Sequence, residues 1–199
     1  MIYDYLIKNF GKGEPIFFSE LPCTSKSYLH REIKKLVDSG KLNRVIKGVY
    51  CLPYTTILGT EGGMSFLKYV EKKYLKGNGK VIGYITGLQL VNRYGFTTQN
   101  SAFYEVCSNK ATKNKRTVTV EGMRIKVFKP KTYITNENVY ALQFLDLLSL
   151  LDTFCEIKGK DLIFKINRYI EWKKLDMSLL DNYLPLYPRR IYKYLKLVK

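Results

Sequence analysis

Residues 25 to 54, SKSYLHREIKKLVDSGKLNRVIKGVYCLPY, change their hydrophobic period in mid-course, and that change limits what the chain can build. Leu29, Ile33, Leu36 and Val37 follow i, i+4, i+7, i+8 spacing, which predicts a helix from Ser25 to about Asp38 with Gly40 as its stop. Its start signal is Thr24 or Ser25, just after Pro22. KLNRVIKGVYCLP then alternates as two short strands around a tight turn at Lys47-Gly48, where glycine accepts positive φ. At about 100° per residue, the helix face opposite Leu29, Ile33 and Leu36 carries Ser27, Arg31 and Lys34, flanked by Tyr28, His30 and Lys35. Only Asp38, near the far end, opposes that positive field.

Upstream, Ile2, Tyr5, Leu6 and Phe10 form one helical stripe that ends at GKGEP. IFFSELP follows as a strand-like apolar triplet and a turn of helix near Ser19. The order helix, short helix, basic helix, hairpin is that of a winged helix-turn-helix, expected over residues 1–54. In that motif the third helix enters the major groove and the hairpin tracks the neighbouring backbone. The expected DNA contacts are Ser25, Lys26, Ser27, Tyr28, His30, Arg31, Lys34 and Lys35 on the helix, with Arg44, Lys47 and Gly48 on the hairpin.

Charge points the same way. The 199-residue chain carries 34 Lys and Arg against 17 Asp and Glu, a net +17, well beyond what solubility requires. A coding bias towards lysine would enrich glutamate too, and acids are scarce. Nucleic acid is the expected partner, with an anionic membrane surface as the competitor. A hydrophobic content of 46% supports real cores without covalent staples. Cys23, Cys51, Cys107 and Cys155 form no C-x-x-C pair, so they read as reduced, mostly buried thiols. MIYDYLIKNF lacks a long apolar core, and Asp146 interrupts YALQFLDLLSLLD, so the expected location is the cytoplasm, without a membrane segment.

The remainder, 58–199, reads as an α+β domain whose residues 155–199 form a helical tail. Residues 60–76 predict a connecting helix ending at GNGK, and a second helix is expected from about Gly83 to Tyr94, stopped by Gly95. Strands are expected in AFYEVCSN, RTVTVEG and MRIKVFKP, then an apolar helix over 139–152 and two or three more beyond 160, with Pro185 and Pro188 setting off the last. Residues 110–131 hold eight Lys or Arg against Glu121 alone, which predicts a second basic surface of Lys110, Lys113, Lys115, Arg116, Arg124 and Lys126. The tail PRRIYKYLKLVK adds Arg189, Arg190, Lys193, Lys196 and Lys199, with Ile191, Tyr194, Leu195 and Val198 at amphipathic spacing. Such a helix could lie on DNA, lie on a membrane or dock on the core, and docking is the favoured reading.

Two segments carry a resemblance. Gly40, Lys41, Leu42, Arg44, Gly48, Val49 and Tyr50 match a "GKL…R…GVY" wing, and Thr86, Gly87, Leu90, Gly95, Phe96, Thr97, Thr98 and Gln99 match a "TG…AL…LGLTTQ" helix and turn. In this order they resemble the AbiEi-type antitoxins over about residues 1–150, with Tyr94-Gly95-Phe96 in place of the usual Leu-Gly-Leu. The resemblance implies a type IV antitoxin that represses its own operon by binding inverted repeats in double-stranded DNA. It also implies opposition to a nucleotidyltransferase-like toxin without a stable complex, the second domain being needed for protection. A stand-alone winged-helix regulator, with a second domain for dimerisation or protein interaction, is the alternative.

Enzymatic readings find little in the chain. The one histidine, His30, sits on the helix assigned to DNA, where a Ser-His-Asp arrangement would compete with it. EGGMS at 61–65 only resembles the Gly-Gly or Gly-Ser start of nucleotidyltransferases, with no D-x-D or D-x-E downstream, and GNGK lacks phosphate-loop spacing. A metal-dependent nuclease would need scattered carboxylates such as Glu61, Glu105 and Asp146 to converge. No catalytic residue, metal ligand or cofactor is expected.

Overall fold

A computed structural model describes residues 2–22 and 25–198. Cys23, expected as a buried thiol, the possible start signal at Thr24, and Lys199 of the basic tail lie outside the described residues. The fold is mixed α+β, in two compact units, Met1–Lys72 and Lys73–Lys199. The expected boundary near 54–58 therefore falls inside the first unit.

The first unit opens with α1 (Ile2–Asn9), β1 (Ile16–Phe17) and a 3₁₀ turn (Phe18–Glu20), followed by α2 (Lys26–Asp38) and the hairpin strands β2 (Asn43–Ile46) and β3 (Val49–Cys51). α2 starts where the Ser25 hydroxyl accepts from Tyr28 N. It stops in a Schellman arrangement in which Gly40 takes φ 68° and the Lys41 and Gly40 amides donate to the carbonyls of Leu36 and Val37. β1 pairs antiparallel with β3, giving a three-stranded sheet in the order β1-β3-β2. Leu6, Ile16, Leu29, Ile33, Leu42 and Tyr50 close one core between the two helices and this sheet. Burying each such aliphatic side chain stabilises by about 1.5–3 kcal/mol, so the amphipathic stripes hold the unit together.

The helix expected over 60–76 begins later. β4 (Tyr54–Thr55) and β5 (Glu61–Gly62) pair first, and the Tyr54 ring occupies the space beside Gly62 that a Cβ would need, 2.2 Å away. α3 (Phe66–Val70) then runs into a single π-helical turn, Glu71–Leu75. GNGK forms the turn of a hairpin between β6 (Lys76–Gly77) and β7 (Lys80–Val81), with positive φ at both Asn78 and Gly79.

In the second unit, β8 (Gly83–Ile85), β9 (Tyr104–Ser108), β10 (Lys115–Val120) and β11 (Met123–Phe128) form a sheet in the order β10-β11-β9-β8. β11 and β9 run parallel and the other neighbours antiparallel. The helix expected from Gly83 thus starts as a strand, and α4 spans only Gly87–Arg93. At Gly83 a Cβ would sit 2.1 Å from the Tyr74 carbonyl oxygen and 2.6 Å from that of Cys107, so backbone crowding there requires glycine. α5 (Val139–Phe154) is the central core helix, and α6 (Gly159–Lys173) packs Ile166 and Tyr169 into the same cluster. Cys51 and Cys107 are buried and Cys155 half-buried, and burial raises the Cys107 thiol to about 12.

The expected amphipathic tail helix is shorter than its pattern, reduced to a 3₁₀ turn (Arg189–Ile191) and one turn of α7 (Tyr192–Leu195). It docks: Ile191 and Tyr194 are buried, while Tyr194 and Lys193 both donate to Asp152. Lys193 and Tyr194 hold that carboxyl below its ordinary range.

Candidate nucleic-acid interface

Helical periodicity sorts α2 as the sequence predicts. Leu29 and Ile33 are buried, while Ser25, Lys26, Ser27, Tyr28, His30, Arg31, Lys34 and Lys35 are all exposed. No acidic residue lies in its first turn, so the partial positive charge of that terminus adds to the cations. The exposed side chains differ in what already holds them. Lys35 is ion-paired to Glu32 at 2.8 Å, which cancels its charge locally, so Asp38 is not the only acid opposing the field of this helix. The Arg31 guanidinium lies 5.6 Å from the centre of the Tyr28 ring, which leaves its N–H edge available.

Arg44 and Lys47 are exposed on the β2–β3 hairpin, and Gly48 is half-buried with φ 75°. This loop is anchored as well as paired, because its Gly48 carbonyl accepts from Phe18 N at 2.9 Å. The Phe18 ring meanwhile stacks on His30, 4.2 Å between centroids. One residue of the 3₁₀ turn therefore ties the hairpin tip to α2. In the sequence Phe18 shows only as part of an apolar triplet. His30, expected as a base reader, has one ring face committed to that stack.

The second basic cluster is divided by strand alternation. In the β10–β11 register, Lys115 faces Phe128, Thr117 faces Lys126 and Thr119 faces Arg124, so these side chains share one sheet face. Arg116 pairs with Val127 on the opposite face, half-buried, with its Nε enclosed and lacking a hydrogen-bond partner among the described residues. Lys126 lies 3.6 Å from Glu105, and both Lys126 and Arg124 cover the Phe103 ring. Lys110 and Lys113 are exposed in the preceding loop. What remains of the expected surface is Lys110, Lys113, Lys115 and Arg124, with Lys126 largely neutralised and Arg116 turned away.

The Thr86 to Gln99 segment has a local physical explanation. Gly87 takes φ 68° with Glu105 packed where a Cβ would be, and Glu105 accepts from Leu88 N at 2.9 Å. Glu156 accepts from Thr98 N, Thr98 Oγ1 and Gln99 Nε2, and these bonds hold its carboxyl down to about 2. Asp146, half-buried as a residue but with its carboxyl enclosed, accepts from Tyr84 and Thr86; burial raises its pKa against those two bonds. Glu105 and Asp146 thus each serve neighbouring backbone or hydroxyl groups. Among the described residues no group of three or more His, Cys, Asp or Glu could hold a metal ion, and no helix is long and apolar enough to cross a membrane.

Compared with protein-family models and with curated protein sequences, the chain matches none.

Proposed function

We propose that the first unit is a winged helix-turn-helix that binds double-stranded DNA, α2 reading bases in the major groove and the β2–β3 hairpin contacting phosphates. The carrying observation is the double role of Phe18, which ties the hairpin tip and α2 into one frame. Two groups of exposed cations, Lys26, Arg31 and Lys34 on the helix and Arg44 and Lys47 on the hairpin, then have a set spacing before DNA arrives. The β1-β3-β2 sheet supports the same reading. Arg31 is the guanine reader, assisted by Ser27 and Tyr28.

The wider role proposed is that of an AbiEi-like antitoxin that represses its own operon and counteracts a nucleotidyltransferase-like toxin, with no catalytic residue of its own. Incubation with supercoiled plasmid, Mg²⁺ and the DNA upstream of its gene tests the DNA-binding reading. Retarded, intact DNA with preference for the upstream segment is expected, whereas nicked plasmid or no retardation refutes it. For the second unit, reversal of Lys113, Lys115 and Arg124 to Glu is expected to abolish protection in a toxin co-expression assay. Unchanged protection would remove that basic surface from the antitoxin action and leave a protein-interaction or dimerisation role for the second unit.

A further inference from the structure

The second unit contains a pocket of about 270 Å³ among β6 to β8, α4, α5 and the end of α6. Cations and aromatic rings converge on it from three helices. Arg93 and Tyr94 come from the end of α4, Tyr140 and Gln143 from α5, and Lys173 from the last turn of α6. Among the described residues no acidic side chain lines it. Lys173 lies 4.7 Å from the centre of the Tyr140 ring, and burial together with the nearby Arg93 charge lowers its pKa. Lys76 on β6 also lines the cavity, and like charges held beside a partly closed cavity are the electrostatic complement of an anion.

The rings and the amide restrict which anion. Tyr94 and Tyr140 offer flat apolar surface suited to a planar ring system, since stacking on tyrosine is insensitive to which heterocycle arrives. Gln143 is nine-tenths buried, and its amide is partly spent: Nε2 donates to the Ile85 carbonyl at 2.9 Å and Oε1 accepts from Tyr169 at 2.9 Å. One N–H of that amide remains to donate to a heteroatom. An arginine and a lysine together match a phosphate, the guanidinium in two-pronged fashion and the ammonium as a point charge. We propose that this pocket binds a nucleoside monophosphate, with its phosphate on Arg93 and Lys173 and its base on the Tyr94 and Tyr140 rings. This site belongs to the second unit and does not depend on the DNA-binding reading of the first.

The single tryptophan supplies a reporter. Trp172 lies edge-on to Tyr94 at 6.1 Å and within 6.0 Å of Lys173, so its emission senses this corner of the fold. The test titrates the full chain with AMP, GMP, CMP and UMP, with the matching nucleosides, with inorganic phosphate, and with a 5′-phosphorylated thymidine oligonucleotide. A saturable change in Trp172 emission with at least one monophosphate is expected. The nucleoside lacking phosphate, and phosphate lacking the base, should each bind at least about tenfold more weakly. Arg93→Ala and Lys173→Met should each weaken the monophosphate by about tenfold or more, since a charge-assisted hydrogen bond contributes at least that factor. Arg93 is exposed, and methionine keeps an unbranched apolar side chain at the half-buried position 173, so both variants are expected to fold, checked by circular dichroism. The proposal is overturned by a flat titration with all four monophosphates, by variants that bind as the parent does, by phosphate alone binding as tightly, or by a response to the oligonucleotide only.

Discussion

Salt dependence offers the sharpest measure of whether the cations of the first unit meet phosphates, because the structure states which ones are available. Lys26, Lys34, Arg44 and Lys47 are exposed, Lys35 is paired to Glu32, and Arg31 is assigned to a base edge. If each of those four exposed side chains neutralises one phosphate, log K should fall against log salt with a slope of about −3.6 for each bound copy. Raising salt from about 50 to about 200 mM would then weaken binding about 150-fold. Lys47→Ala should bring the slope to about −2.7 and weaken all sequences alike, and Arg44→Ala should do the same. Lys35→Ala is the internal control, since the Lys35–Glu32 pair is locally neutral and displaces few counterions. Fluorescence anisotropy on a labelled duplex, repeated at several salt concentrations, measures each slope. A Lys47→Ala slope equal to that of the parent, or a Lys35→Ala loss as large as that of Lys34→Ala, would refute the assignment.

Other consequences follow from particular contacts. Arg31→Ala should relax preference at a single base pair, at a cost of about 1–3 kcal/mol on the preferred sequence and little on others, as measured by competition with a point-substituted operator set. Gly83→Ala should prevent or severely weaken folding of the second unit, because its neighbours are the Tyr74 and Cys107 carbonyl oxygens and neither is a side chain that can swing aside; thermal melting of the variant checks this. Glu156 titrates low in the folded chain, so the order it confers on residues 97–99 should be fully present above its unfolded pKa near 4.5 and be lost as pH falls through about 2. NMR of the Thr98 and Gln99 amides follows that loss, and Glu156→Gln should remove the pH dependence while shifting those amides at neutral pH.

Much of the first unit was legible because its signals are local. An apolar stripe at i, i+4, i+7, i+8, a serine at the start and a glycine at the stop are enough to define α2, and Gly48 marks the hairpin turn. The second sheet was legible where alternation was clean, in β9 to β11. Gly83–Ile85 was not, since a three-residue buried strand running into a helix has no period of its own. The tail misled in the other direction: its amphipathic spacing is genuine, with Ile191 and Tyr194 docked, but the segment forms only a 3₁₀ turn and one α-helical turn.

The candidate interface divides the same way. Which side of α2 is cationic follows from residue order alone, because a helix rotates each side chain by a constant angle. That Phe18 links Gly48 to His30, and that Arg93, Tyr140 and Lys173 meet around one pocket, came only with the tertiary structure. So did the division of the 110–131 cations, where alternation sends Arg116 to one face and its neighbour Lys115 to the other, but only the register with β11 shows which partners each one meets. A run of charge in a sequence records how many cations exist; their neighbours in space decide which of them keep a field to offer a ligand.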